Sequence, residues 1–163
     1  MIRHLINLLL WPLPPTRLFA LRRTLLRFAG IELGPAVCIC GRGWIYGRGR
    51  FVVGAGSWIS PGTIVHTHAH ADIVIGKGCD IGPSCEFIAG SHEIGPRTRR
   101  AGAGLAAPIA IEDGCWLGAG VLVLGGVRIG AGSIVAAGAV VARDLAPDVL
   151  AAGVPAAVKR KLD

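Results

Sequence analysis

Between residues 111 and 141 an aliphatic side chain returns at every sixth position (Ile111, Leu117, Val123, Ile129, Val135, Val141). Four places after each of the first five stands a small one (Cys115, Val121, Val127, Ser133, Ala139). A helix brings apolar residues back at three and four places and a half-buried strand at two, so a strict six implies short strands joined by turns. Fixed short periods are the mark of a stacked solenoid. Each unit can bury its aliphatic residue only against the units above and below. The chain is therefore expected to wind into an all-β coil with two inward ladders, a larger aliphatic one and a smaller one filling the corners.

Run backwards, the larger ladder continues at Val53, Ile59, Val65, Ile75, Ile81 and Phe87, with small partners Ser57, Thr63, Ala69, Cys79, Cys85 and Ser91. From Phe87 to Ile111 is four sixes, so the register survives the stretch between them; only the step from Val65 to Ile75 breaks it. Residues 31–51 repeat more loosely, with Val37, Ile45 and Val53 eight apart, and are expected to form irregular first coils. Three units are expected: an N-terminal helical segment over 1–30, the coil over 31–146, and a basic tail over 147–163. Residues 93–110, rich in Gly, Arg and Ala, read as a loop extruded from the coil.

Residues 2–10 are apolar, but they lack a cleavage site and are too short to span a bilayer. The following Trp11-Pro12-Leu13-Pro14-Pro15 ends a first helix, because proline cannot donate and restricts its predecessor. Thr16 reads as the N-cap of a second helix over 17–28, in which Leu18, Leu21, Leu25 and Phe28 recur at helical spacing between arginines. This segment is expected to pack across the end of the coil as a cap. The alternative is a peripheral membrane contact by residues 1–28.

Five cysteines is an odd number, and Cys79, Cys85 and Cys115 fall in the small ladder as compact fillers. Cys38 and Cys40 form a C-x-C without a second cluster, a weak metal or redox signal. Reduced thiols point to a cytoplasmic protein, placed at the inner face of the membrane if the first helix meets lipid. The net charge of +7 comes largely from the two ends and from Arg97, Arg99 and Arg100. Aromatics do not interleave with these charges, so phosphate on a small ligand or lipid is favoured over nucleic acid.

The repeats, the loop opening after Gly90-Ser91-His92, the segment Cys115-Trp116-Leu117-Gly118-Ala119-Gly120 and the ending Ala152-Gly153-Val154-Pro155-Ala156 resemble the hexapeptide-repeat acyltransferases. Within them the chain is most similar to the maltose, galactoside, streptogramin and capsular-polysaccharide O-acetyltransferase branch. The resemblance implies a left-handed parallel β-helix, an exception to the right-handed crossover preference. It also implies acetyl-CoA as co-substrate and a homotrimer with active sites in the clefts between neighbouring coils.

His92 is the expected catalytic residue. It follows Ser91 of the inward ladder, so alternation turns its imidazole outward, and it aligns with the family's general-base histidine. An imidazole changes charge near neutral pH, which suits taking a proton from a hydroxyl. Glu93 is a candidate to orient it. The resemblance carries coenzyme contacts to Trp116, Ala119, Ala137, Ala142, Arg143, Lys159 and Arg160. Cys115 is expected to be buried and inert, which disfavours an acyl-cysteine route.

His66, His68 and His70 alternate with small residues, so all three are expected outward from one strand, lining the acceptor cleft or the trimer interface. No metal is expected, because alternate residues on one strand splay too regularly for tetrahedral closure. The family's acceptor-binding asparagine falls on Gly62 and its nearby aspartate on Ala69, so a maltose-like acceptor is not supported; Arg97 in the loop is a candidate grip for an anionic one. The expected activity is acetyl-CoA-dependent O-acetylation of a sugar or sugar-derived hydroxyl. Three alternatives remain: N-acetylation of an amino sugar, a zinc-dependent protein like the γ-class carbonic anhydrases, and a non-catalytic trimeric scaffold.

Overall fold

The computed structural model describes all 163 residues as a left-handed, three-sided parallel β-helix closed at its first end by two helices. The first coil holds β1 (Glu32–Leu33), β2 (Cys38–Ile39) and β3 (Trp44–Tyr46); the second β4 (Phe51–Val53), β5 (Trp58–Ile59) and β6 (Ile64–His66). The third holds β7 (Ile73–Ile75), β8 (Asp80–Ile81) and β9 (Glu86–Ile88), followed by a hairpin of β10 (Gly90–Ile94) and β11 (Ala101–Ala106). The fourth holds β12 (Ile109–Ile111), β13 (Trp116–Leu117) and β14 (Leu122–Leu124); the fifth β15 (Arg128–Ile129), β16 (Ile134–Val135) and β17 (Val140–Val141). Corresponding strands stack into three parallel faces, the first from β1 onward, the second from β2 and the third from β3.

Six residues make one side, a short strand and its turn, so every sixth residue lands inward at the same place. Stacking then sets like upon like: Ile59, Ile81, Leu117 and Val135 follow one another in register along the second face, all buried. The small ladder fills the corners, and its hydroxyls are satisfied there. Ser57 Oγ donates to the carbonyl of Gly76 (2.7 Å) and accepts from the amide of Cys79 (3.0 Å); Ser133 Oγ does the same between Ala146 (2.9 Å) and Val149 (3.2 Å). The apolar side chains form one continuous core along the coil.

The structure corrects the expected ladder at three places. Residues 31–51 form a regular coil, not an irregular one: Leu33, Ile39 and Ile45 point inward at sixes, and Val37 belongs to the small ladder. The break lies between Ile45 and Val53, where extra residues sit at the corner. Ala69 is exposed because β6 ends at His66 and Thr67 takes the inward place, its hydroxyl donating to Tyr46 O (2.7 Å) and accepting from Gly49 N (3.0 Å). Ser91 is exposed as well; Ala89 is the last inward residue before the chain leaves the coil.

The extruded segment is a β-hairpin rooted where the third face turns into the first, with Gly90 opposite Ala106 and His92 opposite Gly104. Ala107 N donates to Ala89 O at 3.0 Å, which closes the neck and explains why the sixfold register survives the excursion. At the far end β18 (Val149–Ala152) adds parallel to β16, and β19 (Ala157–Lys161) folds back antiparallel on β18. The residues expected as a basic tail thus form the last edge of the second face.

Helix α1 (Ile2–Leu10) ends as expected, but α2 (Phe19–Phe28) starts later than expected and Thr16 does not cap it. Leu18, with φ 59°, precedes it instead. The buried Arg22 guanidinium holds the proline-rich turn, donating to the carbonyls of Leu13 (3.3 Å), Pro14 (2.9 Å) and Arg17 (3.1 Å). Burial pulls its pKa down from the ordinary arginine value. The helix is turned partway from the expected orientation. Arg22 and Leu26 face the coil, Leu25 packs against the core while half-buried, and Leu18, Leu21 and Phe28 face out.

The cap covers open strand edges of the first coil. Asn7 donates to Ile45 O (3.0 Å) and accepts from Ile45 N (3.4 Å); Arg23 reaches Val37 O (3.0 Å) and Arg27 reaches Leu33 O (2.8 Å). A small cavity of about 40 Å³ remains beneath it, lined by Asn7, Leu10, Arg22 and Phe51 among others. No helix is long and apolar enough to cross a membrane.

Candidate active site

The corner between the second and third faces is built of stacked two-residue turns, Pro61-Gly62, Pro83-Ser84, Ala119-Gly120 and Ala137-Gly138. Each is hydrogen-bonded to the next, Ser84 N to Pro61 O (3.0 Å), Gly120 N to Pro83 O (2.8 Å) and Gly138 N to Ala119 O (2.8 Å). Ala119 and Ala137 are therefore successive exposed rungs of one narrow shelf. Gly62 lies two rungs below Ala119, with φ +79°, and a Cβ on it would stand 3.2 Å from Ser84 Oγ. That left-handed turn favours glycine.

Trp116 projects from the second face beside this shelf, between Asp80 and Ile134, and is 55% exposed. The same outward row continues through Leu150 to Arg160 on β19. Three strand spacings separate Trp116 from Arg160, about 14 Å. Lys159 lies beside Arg160 at the register shift of that pairing. Ala142 and Arg143, also exposed, follow β17 across the third face, at the corner that carries the hairpin. One chain thus gathers Trp116, Ala119, Ala137, Lys159 and Arg160 around the second face, and Ala142 and Arg143 stand apart from them.

The hairpin corner carries the histidines, but not as one row. His66 ends β6, with Nε2 2.7 Å from Glu86 Oε1 and its ring stacked on Tyr46 (centroids 4.9 Å apart, planes 9° from parallel). His68 and His70 sit beyond the strand in the turn, ring centroids 5.5 Å apart, and His68 Nδ1 accepts from the His70 amide at 3.3 Å. Once β6 ends at His66, strict alternation ends with it, which is why the three do not share a face. They do not converge with other ligand types into a group of three.

His92 stands exposed on β10 opposite Gly104, a residue without a side chain and with open space where a Cβ would be. Its outward position comes from the exposed hairpin, since Ser91 beside it is not inward. Glu93 falls at the register shift between His92 and Ile94 and makes no hydrogen bond to His92. Arg97 is exposed in the hairpin turn, where Arg100 binds Gly95 O (3.3 Å). Ile94, 90% exposed, and Leu105 add apolar surface to the hairpin.

Cys115 lies inward and buried, its Sγ 3.2 Å from Gly130 O. A hydrogen bond with Cys79, together with burial, holds its thiol far above the ordinary range. Neither access nor thiolate is available to it. Tyr46 and Glu86 escaped sequence reading. The signal was there: each is twenty residues from His66, about one coil length, and the coil brings both onto His66.

The corner between the third and first faces is opposite the second face of a three-sided coil. His92 and Trp116 therefore stand on opposite sides of one chain.

Residues 108–143 match the family model for the bacterial transferase hexapeptide (six repeats). A hexapeptide-repeat-containing acetyltransferase from Vibrio cholerae O1 biovar eltor, solved in complex with acetyl coenzyme A, is 31% identical; the likeness covers 99% of this chain and 86% of that one, with a TM-score of 0.86. The galactoside O-acetyltransferase of Lactococcus lactis subsp. lactis is 41% identical over 92 residues, 56% of this chain and 44% of the relative. That of Escherichia coli is 34% identical over 91 residues, 56% of this chain and 45% of the relative. The aligned stretch spans less than half the length of these curated relatives. Repeat match and whole-chain likeness agree, and the chain belongs to the hexapeptide-repeat acetyltransferases.

Proposed function

We propose that the protein transfers an acetyl group from acetyl-CoA to a hydroxyl of a sugar or sugar-derived acceptor, in a site completed between two chains of a homotrimer. The observation that carries this reading is the separation of His92 from Trp116 across the coil. Neither half is a site alone, and a neighbour turned about a threefold axis brings the hairpin of one chain to the second face of the next. The exposed Ile94 and Leu105 suit a hairpin that lies against a neighbour.

In this site the pantetheine arm runs along the shelf of Ala119 and Ala137 beside the Trp116 indole, with Lys159 and Arg160 toward the nucleotide phosphates. Ala142 and Arg143, on the hairpin corner, reach it from the neighbouring chain. The acceptor lies at the root of the hairpin, against the Tyr46–His66 ring pair and Glu86, with His68, His70, Glu93 and Arg97 above and Gly62 on the adjoining corner. His92 takes the proton of the acceptor hydroxyl as its oxygen attacks the thioester carbonyl. A backbone N–H meets the tetrahedral oxyanion. Its collapse breaks the C–S bond, coenzyme A leaves as thiolate, and the proton held by His92 returns to that sulfur.

His92→Ala tests the assignment. The expected result is a fall in kcat of about 10²- to 10⁴-fold with acetyl-CoA binding retained. Near-wild-type transfer by the variant would remove His92 from the chemistry.

A further inference from the structure

The cap carries surface that the coil does not use. Leu5, Leu9 and Trp11 on and just after α1, and Leu18, Leu21 and Phe28 on and just before α2, are all exposed, Phe28 at 72%. The two helices press Ile6, Leu10 and Leu26 onto the first coil, so Leu5, Leu9, Leu18, Leu21 and Phe28 face away from it, while Trp11 sits at its flank, edge-on to Trp44 (centroids 5.9 Å) and 52% exposed. Exposed apolar side chains gathered on one capping unit mark a contact.

Charge identifies the occupant. Residues 1–31 contain five arginines and no aspartate or glutamate; Arg22 is buried, and the other four reach solvent. Arg42 and Arg48, exposed on the first coil beneath, add to the same sign. A second copy of the cap would set like charges against one another. An anionic bilayer surface takes both the apolar side chains and the arginines.

We propose that the helical cap docks flat on an anionic lipid membrane, with Leu5, Leu9, Trp11 and Phe28 entering the interface and Arg17 and Arg48 meeting headgroups. The docking goes beyond the acetyl-transfer reading and does not depend on it. In the proposed trimer, three caps at the same end of three parallel coils share one plane, which multiplies the contact. The coil axis then stands upright on the membrane with the hairpins clear of it.

Flotation of the full-length protein with vesicles tests this without any assay of transfer. The protein is expected to float with vesicles of equal parts phosphatidylglycerol and phosphatidylcholine at low ionic strength, and much less with phosphatidylcholine alone. Leu9→Asn with Phe28→Asn lowers partitioning at least about tenfold, and Arg17→Gln and Arg48→Gln lower it about fivefold each. Brominated phospholipid in the anionic vesicles quenches tryptophan emission in the wild type, and Trp11→Phe removes most of that quenching, a readout that needs no apolar variant to fold. Absence of binding to the anionic vesicles overturns the proposal. So does a wild-type assembly larger than a trimer that the Leu9→Asn/Phe28→Asn variant dissociates, since another copy would then be the occupant.

Discussion

Trp116 stands in an outward row with more than half its surface in solvent, unexplained by the packing of its own chain. A bound pantetheine arm or a neighbouring subunit would cover it. Trp116→Ala is expected to raise KM for acetyl-CoA about tenfold, with kcat changed little. Cys115→Ala, in contrast, is expected to keep full transfer activity, because the thiol is closed in the core. A kcat loss in Cys115→Ala beyond its stability cost would revive an acyl-cysteine route.

Glu112 supplies a pH prediction. It accepts from Arg128 and from the Ala131 amide (2.9 Å), and these bonds, that to Arg128 foremost, hold its carboxyl below the usual range. A depressed folded pKa stabilises above the unfolded value and loses that contribution as pH falls through the folded one. Thermal melts of Glu112→Gln should therefore lie below wild type at neutral pH and converge with it in acid. A gap that persists at low pH would contradict the assignment.

At the scale of elements, the rung is the unit of stability. Leu117 is packed between Ile81 and Val135 with no access to solvent. Leu117→Ala is expected to cost about 3 kcal/mol in denaturant unfolding, because a coil pinned above and below cannot collapse into the cavity.

The rungs were legible in sequence because a residue's inward place depends on its own six-residue unit. Corners were less so. The extra residues after Ile45 disguised a regular first coil, and the end of β6 at His66 released Ala69, His68 and His70 from alternation. The orientation of α2 was misread for a different reason: its apolar stripe was clear, but Arg22 is drawn inward by carbonyls of the proline-rich turn, and no periodicity encodes those. The exposure of His92 was legible, although by alternation from Ser91, which is itself exposed. The link from His66 to Tyr46 and Glu86 was not, since it exists only once coils are stacked in register.

For the whole molecule, the three-sided coil divides the chemistry. The hairpin corner and the second face are opposite one another, so the proposed site takes its base and its coenzyme shelf from different chains. A complementation experiment tests this most directly. His92→Ala protein and Trp116→Ala/Arg160→Ala protein, each nearly inactive at subsaturating acetyl-CoA, are unfolded together, refolded as mixed trimers and assayed. A site shared between chains predicts recovery of about a quarter of wild-type activity, because each mixed trimer regains one intact interface and three-quarters of randomly assorted trimers are mixed. Mixed trimers no more active than the parents would contradict a shared site and place base and coenzyme within one chain.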